Sequence, residues 1–100
     1  MKTELNPEYD TRKSFYNKAI VETSINDKNE TISTLISYNT IVSYINLTKN
    51  IAVVHGTYST TTLRHIKEFL KQNGFKADTS KQIMKDYNEK VLIVEKLSEE

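Results

Sequence analysis

The chain has 100 residues, which suits one domain. Its 14 basic and 13 acidic residues leave a net charge of +1, without the basic excess that sequence-independent nucleic-acid binders carry. It has no cysteine, so disulfides, thiolate metal sites and cysteine nucleophiles are excluded.

The first fourteen residues are polar and contain the only proline, Pro7. They read as a flexible N-terminal arm, residues 1–14, ahead of a single domain over 15–97. No apolar signal-type segment opens the chain, and no run approaches the ~18 residues that cross a bilayer. The expectation is a cytoplasmic protein without a membrane partner.

Lys18 to Ile25 alternates as a strand, with Ala19, Val21 and Thr23 on one face and Ile20 and Glu22 on the other. Asn26-Asp27-Lys28-Asn29 is a turn cluster, so a hairpin should lead into Thr31–Ile36. There Ile32 and Ile36 share a phase. Tyr38 to Asn46 follows, rich in β-branched and aromatic residues, with Ile41 and Ile45 in the opposite parity. A bend or bulge near residues 37–40 would absorb that slip. Leu47-Thr48-Lys49-Asn50 predicts another turn, and Ile51 to Val54 a short buried strand. Tyr38, Tyr44 and Tyr58 lie on or beside these strands, where tyrosines commonly fill cross-strand gaps with the hydroxyl at the edge.

The main helix is the clearest element. Ser59 or Thr60 can cap its start, and Asn73-Gly74 supplies its stop. Leu63, Ile66, Phe69 and Leu70 form one apolar stripe, while Arg64, Lys67, Glu68 and Lys71 fall on the other side. His65 projects at the boundary, where bonding to a backbone carbonyl or water is expected. Phe75 can fold back on the helix end. Thr79 or Ser80 caps a shorter helix through Tyr87, with Ile83, Met84 and Tyr87 inward. Val91 to Val94 reads as a buried strand. The fold class is therefore α+β, a small antiparallel or mixed sheet of four to five strands with one main amphipathic helix and a short second one.

Catalytic signatures are missing. No glycine-framed serine and no phosphate-loop or dinucleotide fingerprint occurs, and the chain has only two glycines. His65 and Glu68 have an H-x-x-E spacing, but a third ligand is not in view, so no metal or other cofactor is assigned. The reading is non-enzymatic. What stands out is the start of the main helix, where Thr57, Ser59, Thr60, Thr61 and Thr62 crowd ahead of Arg64 and His65. Helix N-terminal N–H groups favour anions, so Tyr58, Ser59, Thr61, Arg64, His65 and Lys67 are the candidate binding residues. Arg64, Lys67 and Lys71 also make a basic strip that nucleic acid could use.

Two blocks are similar to a known pattern. Ser37-Tyr38-Asn39-Thr40-Ile41-Val42 and Tyr58-Ser59-Thr60-Thr61-Thr62-Leu63-Arg64-His65-Ile66 match S-Y-x-T-x-V and Y-S-x-T-T-x-R-H-I. The chain thereby resembles, over about residues 35–75, a family of small phage- and mobile-element-encoded domains of unknown function. Ser43 stands where that family often has alanine. The resemblance brings no catalytic residues with it. It implies an intracellular accessory protein in the host cell, and by analogy one that binds and modulates a host or defence protein. A small nucleic-acid-binding module and an anion- or nucleotide-binding domain at the helix N-terminus are the alternatives.

Overall fold

A computed structural model of the chain describes residues 1–11, 14–56 and 58–88. Five strands, β1 (Lys2–Glu4), β2 (Ala19–Ile25), β3 (Thr31–Ser37), β4 (Thr40–Asn46) and β5 (Ile51–Val54), precede α1 (Thr60–Gln72) and α2 (Ser80–Tyr87). The strands pair in chain order, each antiparallel to the next. Short polar turns dictate the meander from β2 to β5, because a two- to five-residue connection returns the chain beside the strand it has just left. The expected α+β class with five strands and two helices is what forms. The predicted Val91–Val94 strand lies outside the described residues.

Asparagine builds the turns. Asn29, Asn39 and Asn50 each adopt a left-handed backbone, with φ of 62°, 68° and 58°. Asparagine tolerates that region better than most residues because its short amide can bond locally. At the first turn the Asn26 Oδ1 accepts the N–H groups of Lys28 and Glu30. Between β3 and β4 the turn is only Tyr38-Asn39, with both residues at positive φ, as a tight hairpin of the right-handed twist requires. The expected parity slip is absorbed next to this turn. Leu35 pairs with Ser43 and Ile36 with Ile41, so Val42 is an extra residue on β4.

Both helices pack on one face of the sheet. From α1 come Ile66, Phe69 and Leu70, and from α2 Ile83, meeting Ala19, Leu35, Val42, Ile45, Ala52 and Val54. Each of the larger side chains in this set contributes about 1.5–3 kcal/mol by leaving water. The phase of β3 that carries Ile32 and Ile36 is not the one facing the helices. Ser33, Leu35 and Ser37 are the buried set. Serine is admitted because its hydroxyl finds partners there: Ser37 meets α1, and on β4 the Ser43 hydroxyl donates to the Val53 carbonyl at 2.7 Å. The opposite face carries Ile20, Ile36 and Ile41 in direct cross-strand register.

The helix ends follow the sequence. Ser59 caps α1, accepting the Thr62 N–H at 3.3 Å, and Thr79 caps α2 through the Gln82 N–H at 3.1 Å. At the other end of α1, Gly74 has φ 83°. Its N–H reaches the Lys71 carbonyl and that of Phe75 reaches Leu70, which together close the last turn. Phe75 then packs edge-on against Tyr87, with ring centroids 6.0 Å apart.

The N-terminal segment departs from expectation. Instead of a loose arm, Lys2–Glu4 pairs with Ile20–Glu22 as the edge strand. Leu5 is buried, and residues 6–10 run across α1. The anchor is Glu68, which the helical wheel places on the polar side but which is buried. Its Oε1 accepts the N–H groups of Tyr9 at 2.9 Å and Asp10 at 3.0 Å, and its Oε2 accepts Gln72 Nε2 at 2.6 Å. Gln72 Nε2 also donates to the Asn6 carbonyl. A polar chain with one proline reads as disordered until a buried acceptor elsewhere supplies the partners its backbone lacks.

Candidate functional site

The crowded start of α1 divides its residues among different tasks. The hydroxyl of Ser59 is used by the cap. Thr62 is buried, with Oγ1 3.1 Å from Ser37 Oγ. Tyr58 is exposed, and its hydroxyl reaches back to within 4.0 Å of where a β-carbon on Gly56 would stand. Thr57 lies outside the described residues. Thr61, Arg64 and His65 do converge, on a recess of about 190 Å³ at one end of the sheet.

His65 is not at the boundary but buried, with 1% of its surface exposed. Its Nδ1 lies 2.8 Å from Ser37 Oγ, the same hydroxyl that meets Thr62. A chain of three side chains thus ties the first turns of α1 to the last residue of β3. The imidazole sits between two rings, Phe15 at 4.6 Å and Tyr38 at 5.6 Å, the latter stacked at 28°. The helical wheel misses this because the neighbouring strand ends, at Ser37, in a small polar residue that makes room for the ring. His65 and Glu68 are both buried and committed to different partners, on β3 and the N-terminal segment. Among the described residues no group of three or more histidine, cysteine, aspartate or glutamate side chains can hold a metal.

Tyr16 and Tyr38 wall the recess. Each begins a two-residue turn of the same kind, Tyr16-Asn17 at φ 52° and 62° and Tyr38-Asn39 at φ 50° and 68°. The turns adjoin, since Phe15 accepts from Lys18 N–H across the first and the Lys18 carbonyl accepts from Tyr38 N–H at 2.9 Å. A left-handed backbone disfavours a bulky aromatic residue and costs about 1–2 kcal/mol where glycine would cost little. Yet both tyrosines face solvent, Tyr16 at 72% and Tyr38 at 49% exposure. Tyr38 therefore does not fill a cross-strand gap. Ile41, three residues on and 56% exposed, lies on the sheet face away from the helices and is not part of the recess lining. The repeated Tyr-Asn dipeptide between strand-like segments is the sequence signal that could have revealed the pair.

The charged rim is partly neutralised. Arg64 Nη1 lies 3.3 Å from Asp10 Oδ1, in place of the helical Arg64–Glu68 pairing that a four-residue spacing suggests. Lys18 also lines the recess. Lys67 and Lys71 continue along α1 beside Tyr9, Asp10 and Glu68. The basic strip is therefore real as a row of cations, but two carboxylates are set into it. No helix among the described residues is long and apolar enough to cross a membrane.

No curated protein and no solved structure gives a significant match to the chain. A family model does match, over residues 3–86, a span that takes in nearly all of β1 and α2 and the whole of β2–β5 and α1. The chain belongs to this family, described as a family of unknown function, DUF8033.

Proposed function

We propose that the protein is a small non-enzymatic accessory protein of phage type that binds and modulates a host or defence protein in the cytoplasm of the host cell. One observation carries the reading: Tyr16 and Tyr38 stand exposed together as walls of one recess at the end of the sheet. Scattered apolar residues on a surface need no explanation, but clustered ones beside a recess suit a protein contact. Both are held on backbone conformations that aromatic residues avoid, and such strain collects where function requires it. The polar groups around the recess are already joined to one another, Arg64 to Asp10 and His65 to Ser37, which suits docking better than reaction. The phage-type assignment rests on the two sequence blocks around Tyr38 and Tyr58–Ile66.

The test is affinity capture from bacterial lysate with the wild type and a Tyr16→Asn/Tyr38→Asn variant. A protein held by the wild type and lost with the variant is the expected result. Equal retention by both, or retention by neither, would overturn the reading.

A further inference from the structure

We infer that the recess beside His65 receives one aromatic side chain from an acidic segment of the protein partner. The inference rests on the binding-protein reading above and specifies its chemistry. Three features select the occupant. The first is size: about 190 Å³ is too small for most cofactors or drug-sized ligands, which fill roughly 300–1,000 Å³, but fits a single ring. The second is lining. Tyr16 and Tyr38 present exposed rings, backed by the buried rings of Phe15 and His65, and ring pairs favour edge-to-face and offset contacts that a further ring can join. The third is charge. Lys18 lines the recess and, among the described residues, no carboxylate does, while Arg64, which also lines it, is paired with Asp10. Lys67 and Lys71 extend the row along α1, and neither has an ion-pair partner among the described residues. An anchor ring with carboxylates beside it would meet rings first and cations next.

Single-stranded nucleic acid also combines rings with negative charge, but the observations favour protein. A nucleic-acid track needs several uncompensated cations in succession. Here Arg64 is already paired with Asp10, and the chain as a whole carries only +1. One face of the Tyr38 ring is occupied by His65, so the recess accepts a ring within a pocket rather than on an open stacking platform.

Fluorescence anisotropy with defined probes tests the assignment. The probes are a labelled peptide with one tryptophan flanked by aspartates, the same peptide with alanine for tryptophan, the same with asparagine for each aspartate, and labelled oligothymidylate. The acidic tryptophan peptide should bind, and each altered peptide should bind about tenfold or more weakly. Added salt should weaken the parent peptide. Tyr38→Asn and Tyr16→Asn should each lower its affinity about tenfold while keeping the thermal midpoint, since asparagine is at home in these turns. Peptide binding indifferent to tryptophan, to the aspartates or to Tyr38 would overturn the inference, as would tighter binding of oligothymidylate. If lysate capture yields a partner that depends on the tyrosines while none of the peptides binds, the acidic-aromatic chemistry fails and the binding-protein reading stands. If capture yields none and none of the peptides binds, both fall.

Discussion

Replacing Glu68 with glutamine should loosen the N-terminal segment from α1 and lower stability by about 2 kcal/mol. The side chain is 1% exposed and accepts three hydrogen bonds, two from the backbone of Tyr9 and Asp10 and one from Gln72. Bonds to a charged acceptor contribute about 1.5–3 kcal/mol and neutral ones about 0.5–1.5, so two N–H donors lose about 1 kcal/mol each. The new amide nitrogen must also face a donor. If Gln72 turns to accept from it, Gln72 can no longer donate to the Asn6 carbonyl, which removes about 1 kcal/mol more. Relief from burying a charge returns part of this total. For a domain of this length a loss of about 2 kcal/mol lowers the thermal midpoint by about 8–16 °C. Circular dichroism melting measures that shift, and hydrogen exchange at the Tyr9 and Asp10 amides reports whether the segment has let go. A midpoint within about 2 °C of wild type, with both amides still protected, would refute the view that Glu68 anchors the segment.

Other substitutions probe separate parts of the molecule. Gly74→Ala should cost about 1–2 kcal/mol in denaturant unfolding, purely through the φ of 83°, since no atom lies within 4 Å of the added methyl group. Tyr38→Asn should change stability by less than about 1 kcal/mol, because relief of the left-handed aromatic backbone offsets the lost stacking on His65; a loss above about 2.5 kcal/mol in the same assay would make Tyr38 a core residue instead. Leu35→Ala, at a fully buried position between β2, β4 and α1, should cost about 3–4 kcal/mol and lower the denaturation midpoint accordingly. Glu30 is held below its ordinary value of 4.5, first by the Asn26 side-chain hydrogen bond and then by Lys49, against an opposing effect of burial. A lowered folded value means stability that is present above pH 4.5 and lost as the pH falls through the folded value. Melting curves of wild type and Glu30→Gln should therefore differ at pH 7 and converge as the pH falls through the lowered folded value.

Local chemistry made much of the fold legible. Ser59 and Asn73-Gly74 delimit α1, because capping depends on residues within one turn of the helix end. Asn26-Asp27-Lys28-Asn29 and Leu47-Thr48-Lys49-Asn50 mark hairpins, because few residues accept a left-handed backbone. The opposed parities of Ile36 and Ile41 required an irregularity, and the extra Val42 supplies it. The site was legible only in part. Thr61, Arg64 and His65 do meet at the recess, but its walls, Tyr16 and Tyr38, come from turns twenty-two residues apart in the chain.

By itself the sequence determined which segments turn, cap and alternate, since these properties depend on each residue's own backbone and its nearest neighbours. Only the tertiary structure decided which polar groups lie inside. His65 is buried because β3 ends in Ser37, and Glu68 is buried because Tyr9 and Asp10 bring N–H groups to it. A helical wheel counts hydrophobicity along one element, whereas a buried polar group is set by a partner on another element, and that partner has no fixed sequence spacing.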